Sequence, residues 1–117
     1  MKYPITGFKT VEIMQEVERG FTLHLVSEIV AEWSSLKDYA YILHDKDETR
    51  PHIHLLMRFN NSVPTSAILN KFGGVVEFEH LQKCHSWKGA MAYLTHRNRP
   101  NKHLYHRIDI YSVYYDA

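Results

Sequence analysis

Residues 50–59 read RPHIHLLMRF and set two histidines, His52 and His54, one residue apart before an apolar run. In a β-strand, side chains at i and i+2 project to one face. The two imidazoles therefore stand together while Ile53 projects away. Two neutral imidazoles on a rigid strand are a good pair of first-row metal ligands. The plainer alternative is a solvated sheet face that happens to carry two histidines. The preceding segment, YAYILHDKD (39–47), ends in His44, Asp45 and Asp47. If the two segments pair across DKDETRP, His44 or Asp47 closes on the pair and supplies a third ligand, with room for a fourth. Nitrogen and oxygen donors with positions left open suit Mn2+, Mg2+ or Zn2+ acting as a Lewis acid.

Other histidine chemistries fit less well. A histidine-triad nucleotide hydrolase needs three alternating histidines, and Leu56 fills the third place. A 2H phosphodiesterase needs His-x-Thr or His-x-Ser twice, and neither copy is present. A structural zinc site needs more sulfur than Cys84 provides, although His80 and His85 are its neighbours in sequence.

These residues need a scaffold, and the chain of 117 residues is long enough for one domain with one modest core. At 44% hydrophobic, 13% aromatic and 23% charged it is globular in composition, not disordered. FTLHLVS (21–27) alternates and predicts a first strand. EIVAEWSSLKD (28–38) predicts a helix capped by Ser27. YAYILHD (39–45) and HIHLLMRF (52–59) predict a hairpin of strands, broken after Phe59 by Asn60-Asn61-Ser62. PTSAILNKF (64–72) predicts a helix stopped by Gly73-Gly74. VVEFEHL (75–81) predicts a strand, HSWKGAMAYLTHRN (85–98) a helix with a Trp87, Met91 and Leu94 stripe, and LYHRIDIYSVYY (104–115) a terminal strand. Within residues 1–20, GFKTVEIMQEVERG fits either a short helix or a strand, ended by Gly20. The order predicts an α/β (α+β) fold of ferredoxin-like, split βαβ type, a central antiparallel sheet with helices packed on it and the 39–45/52–59 hairpin in its middle.

No run is apolar enough to span a bilayer and no signal-type core follows Met1. Cys84 is the sole cysteine, so no internal disulfide forms, and a cytoplasmic location is expected. The net charge of +1 hides an asymmetry. From His80 to Ile108 there is no Asp or Glu, while Lys83, Lys88, Arg97, Arg99, Lys102 and Arg107 lie there with five of the nine histidines. That stretch reads as a phosphate-binding strip or as a merely basic surface.

Taken in order, ILHDKD (42–47), RPHIHLL (50–56), YLTH (93–96) and KHLYHRIDI (102–110) resemble the signatures of the HUH endonucleases, most closely the RepB-type initiators of plasmid rolling-circle replication. FTLHLV (21–26) takes the place of the first strand, and the resemblance covers about residues 21–111. It implies His52 and His54 as metal ligands, His44 and Asp47 as further metal-site residues, a Mn2+ or Mg2+ cofactor, and Tyr93 as the nucleophile. It implies nicking and rejoining of single-stranded DNA at a replication origin, expected to be a stem-loop, through a 5′-phosphotyrosine and a free 3′-OH that primes a polymerase. His96 stands where related viral initiators carry a lysine, to orient the phosphate or move a proton. Lys88, Arg97, Arg99 and Lys102 read as DNA-backbone contacts or as a solvated rim.

Two readings compete at Tyr93. The chain has eight tyrosines, and a helical tyrosine is commonly a half-buried packing residue. Against that, Gly89, His96 and Arg97 at i−4, i+3 and i+4 make its face small and basic, fit to admit a phosphate. The sequence departs from the family in two ways. It ends at Ala117, where plasmid initiators usually continue into an oligomerisation domain, so oligomers are expected if such a domain is missing. The lead before Gly20 is longer than the family's. A transposase or mobilisation relaxase shares the same chemistry. A non-catalytic single-stranded nucleic-acid binder predicts EDTA-resistant binding without a covalent product. A small nucleotide metallohydrolase predicts turnover without Tyr93.

Overall fold

The first strand comes from the segment whose state the sequence left open. In the computed structural model, which describes residues 3–46, 50–94 and 110–112, Gly7–Glu16 forms β1. Its residues alternate: Val11, Ile13 and Gln15 are buried on one face, while Thr10, Glu12, Met14 and Glu16 occupy the other. Glu, Met and Gln are helix formers, and pairing on both edges overrides that preference. Gln15 helps fix the strand: its amide Nε2 donates to Val75 O at 2.9 Å.

The expected strand at 21–27 is instead the start of a helix. Thr22 is the N-cap, its hydroxyl accepting the Leu25 N–H at 3.1 Å, and α1 runs Leu23–Glu32. Capping satisfies an amide that a strand would have paired elsewhere, and Val26 and Val30, four apart, then share the buried face. Ser27 is therefore inside the helix, and its hydroxyl donates to His24 O. The expected helix at 28–38 ends early, because β2 (Leu36–His44) has already begun.

The chain then forms β3 (His52–Pro64), α2 (Thr65–Lys71), β4 (Leu81–Lys83), α3 (Trp87–Leu94) and β5 (Tyr111–Ser112). The break expected at Asn60-Asn61-Ser62 does not occur. β1 keeps pairing to Gly7↔Pro64, through a register shift between Phe8 and Thr10, so β3 continues with those three side chains exposed. The strand expected at 75–81 does not form, and the short β4 begins only at its last residue, Leu81. Gly73 and Gly74 turn the chain at φ 58° and 88°, and Phe78–His80 makes one 3-10 turn closed by a Glu77–His80 capping box. The helix predicted at 85–98 starts at Trp87 as α3, and residues 95–98 lie outside the described residues. Of the terminal strand at 104–115, residues 104–109 and 113–115 lie outside the described residues.

The sheet order is β4-β1-β3-β2-β5, and every neighbouring pair is antiparallel. β1 and β2 thus run the same way with β3 between them, the split βαβ arrangement of the ferredoxin-like pattern. Helices cover both faces. Phe21 before α1, Val26 and Val30 of α1 and Ile68 of α2 pack against Val11, Ile13, Ile53, Leu55 and Met57. On the other face Leu94 of α3 and Ile110 pack on Ala40, Ile42 and Leu56, with Trp87, Ala90 and Met91 alongside. Among the described residues no helix is long and apolar enough to cross a membrane.

At the β2–β5 edge Tyr41 stacks on Tyr111 at 5.0 Å and on Tyr39 at 6.0 Å. Burial, then the two neighbouring phenols, pushes its hydroxyl up to about 12. The native state therefore holds this proton where the unfolded chain releases it. Stability is expected to fall as pH rises from about 10 towards 12. Tyr41→Phe is expected to flatten that fall, read by urea unfolding at pH 9 and pH 11.

Candidate metal centre and nucleophile

Strand register builds the site. His44 stands directly opposite His52 across the β2–β3 ladder, and His54 lies two residues further along β3, opposite Ile42. Residues paired across a ladder share a face, so all three imidazoles project on the α3 side of the sheet. One ring nitrogen from each lies within 4.8 Å of the others. The ring centroids are 5.3 Å (His44–His52), 4.6 Å (His44–His54) and 5.1 Å (His52–His54) apart. His44 is fully buried, His54 is buried and His52 is half-buried.

Two backbone carbonyls set the tautomers. His44 Nε2 lies 2.6 Å from Leu94 O, and His52 Nδ1 lies 2.8 Å from Arg50 O. A carbonyl only accepts, so these nitrogens carry the protons, and Nδ1 of His44 and Nε2 of His52 carry the lone pairs. A ring N–H held by a carbonyl is the usual outer support of a metal-binding histidine. Three neutral nitrogen donors so arranged fit a first-row divalent cation.

The same contact draws in the nucleophile candidate. Leu94 follows Tyr93 directly, so the His44 hydrogen bond ties the end of α3 to the imidazole cluster. Tyr93 is half-buried, its ring edge-on to His54 at 5.5 Å between centroids. The start of α3 is held as well. Ser86 Oγ accepts the Gly89 N–H at 3.1 Å, and the Arg58 guanidinium lies 4.6 Å over the Trp87 ring. Arg58 Nε donates to Asp38 Oδ2 at 2.7 Å, and a second guanidinium N–H goes to the same oxygen. Asp38 is buried, so losing the guanidinium takes two hydrogen bonds and an opposite charge from a carboxylate withdrawn from water. Arg58→Met is expected to cost about 3–5 kcal/mol in denaturant unfolding. Arg58→Lys keeps the charge but not the flat stacking surface, and is expected to cost less.

Beside the cluster, a pocket of about 650 Å3 opens between β1, β4 and α3, with Tyr93 and His54 at one side and Gly89 in its wall. Glu12 and Met14 in this pocket were not legible in the sequence because β1 was unassigned, and the Arg58–Trp87 contact was not because it joins distant segments. Burial raises the Glu12 carboxyl above its usual range. It also raises the Cys84 thiol, to which the Glu12 charge adds. His80, Cys84 and His85 line the pocket without converging. Among the described residues, the group able to share a metal ion is His44, His52 and His54.

Lys88 is exposed on α3, about 140° around the helix from Tyr93. Asp47, His96, Arg97, Arg99 and Lys102 lie outside the described residues.

Comparison with known proteins identifies the family. The family described as plasmid replication protein, origin binding domain, matches residues 9–115. A curated replication protein of Onion yellows phytoplasma (strain OY-M) is 32% identical over 95 residues, which cover 67% of this chain and 25% of that protein. The chain thus spans about a quarter of that relative's length.

Proposed function

Because the chain belongs to the plasmid replication protein origin-binding domain family, we propose that residues 1–117 act as its nicking domain: they bind single-stranded origin DNA and cut and rejoin it through Tyr93, to initiate rolling-circle replication. The observation that carries this reading is the convergence of three imidazoles, with ligand atoms within 4.8 Å of one another, beside a tyrosine ring 5.5 Å from His54. A packing tyrosine has no need of such neighbours.

His44, His52 and His54 would hold the cation, and Asp47 would add an oxygen ligand. The nitrogen donors favour Mn2+ over Mg2+, which prefers oxygen. When bound, the cation offsets the charge on a non-bridging phosphate oxygen and so makes the phosphorus open to attack. The remaining steps belong to the chain. Tyr93 Oη loses its proton and attacks phosphorus. The bond from phosphorus to the 3′ oxygen breaks, and that oxygen takes up a proton. One phosphodiester becomes another, so protons and bond energy balance and the reverse step rejoins the strand. α3, fixed at Trp87 and Leu94, keeps the phenol in place between these two anchors. Lys88, His96, Arg97, Arg99 and Lys102 would contact the DNA backbone.

Strand transfer tests the reading. The protein is given a labelled single-stranded origin oligonucleotide, expected to be a stem-loop, with Mn2+ and an unlabelled acceptor ending in a 3′-OH. The labelled 5′-phosphate segment is expected to move onto the acceptor, with no loss of label to hydrolysis. Hydrolysed ends without transfer would point to a metallohydrolase. Binding that survives EDTA, with neither product, would point to a non-catalytic binder.

A further inference from the structure

The pocket between β1, β4 and α3 extends beyond the imidazole cluster, and the chemistry above leaves most of it unused. Its volume of about 650 Å3 is ample for a nucleoside. Its lining includes the two groups that would face the scissile phosphate, Tyr93 and His54, with their rings in contact. The floor is β1. There Met14 stands directly opposite His54 in the ladder, and yet is 50% exposed. An apolar side chain in the middle of a sheet face is normally covered. α3 covers the β2–β3 part of this face and leaves Met14 open.

Glu12 is the second unusual residue. It is half-buried in the pocket wall, and its carboxyl makes no hydrogen bond or ion pair with any described residue. A carboxyl withdrawn from water without a partner costs free energy, and a ligand bearing N–H groups relieves that cost. Gln82 faces Glu12 across the β1–β4 ladder and adds an amide to the same wall. Lys83 and His85 lie at the pocket too, where the next phosphate along a strand would find positive charge.

We infer that this pocket seats the base of the nucleotide adjoining the scissile phosphate, with Met14 packing on its ring and Glu12 reading its edge. A carboxylate only accepts hydrogen bonds. It therefore selects a base edge with N–H donors. Guanine offers two side by side and is the best match. Thymine sets carbonyl oxygens on both sides of its one N–H and is the worst. The nicking reading is needed only to say which nucleotide enters. The pocket itself does not depend on Tyr93 chemistry.

The test uses the whole chain and a pool of single-stranded oligonucleotides randomised around the cut. One arm sequences what is cleaved with Mn2+. The other sequences what is bound in EDTA. Wild type is expected to prefer an amino-bearing base over thymine at one position next to the cut. Glu12→Gln is expected to reduce that preference about tenfold or more and keep the preferences elsewhere. Met14→Ala is expected to weaken binding at the same position for every base. Thermal melting checks that each variant folds. An unchanged profile in Glu12→Gln, in both arms, overturns the inference. So does loss of cleavage for all sequences alike with an unchanged binding profile, since Glu12 would then serve the chemistry and not the reading. If wild type cleaves nothing, the nicking reading fails, and the bound pool still decides whether Glu12 selects a base.

Discussion

Tyr93→Phe is expected to fold as wild type, to bind single-stranded DNA, and to form no covalent product. The substitution removes one oxygen. The ring contact with His54 at 5.5 Å remains, and so does the backbone bond from His44 to Leu94 O, which does not involve the phenol. Packing is thus kept while the attacking atom is lost. Deleting a covalent nucleophile typically costs several orders of magnitude, and about 10^4-fold or more is expected here in single-turnover cleavage. Cleavage that continues with a water-derived product would mean that the imidazole cluster activates water and that Tyr93 only packs.

The second large effect belongs to the imidazoles. His54→Ala, or His52→Ala, is expected to weaken Mn2+ binding in calorimetry by about two orders of magnitude or more and to lower cleavage by about 10^3-fold, because the cation's contribution to the transition state is worth several kcal/mol. The two should differ in stability. His52 is half-buried, and its loss costs little structure. His54 is buried beside Tyr93, so its removal also leaves a void under α3. Adding excess Mn2+ should restore part of the rate to His52→Ala. If both variants bind Mn2+ as wild type does, the three histidines are not the metal centre.

The imidazole pair was legible because a strand has a period of two and a histidine at i and i+2 needs nothing else to share a face. The partner from β2 was legible too, since a short loop between two apolar runs makes a hairpin. What register added was which residue arrives: His44 stands opposite His52, while Asp47 lies outside the described residues. The first strand was misplaced for a physical reason. FTLHLVS alternates as a strand would, and only the Thr22 cap reveals that it begins a helix. VEIMQE has helical propensity but is held between two strands. The lead before Gly20 holds β1 at Gly7–Glu16, and the family match runs from residue 9 through it. Glu12 and Met14 became visible only then, as did the pocket they floor. The contact that fixes α3, Arg58 over Trp87, joins residues far apart in sequence and carries no local signal.

The central claim is that Tyr93 becomes the covalent link to DNA. The most direct measurement digests the protein with nuclease and protease after incubation with Mn2+ and the origin oligonucleotide, then locates the nucleotide by mass spectrometry. The account predicts a nucleotide-bearing peptide that contains Tyr93, present with Mn2+ and absent with EDTA. A nucleotide on another of the eight tyrosines, or cleaved DNA with no modified peptide, would contradict it.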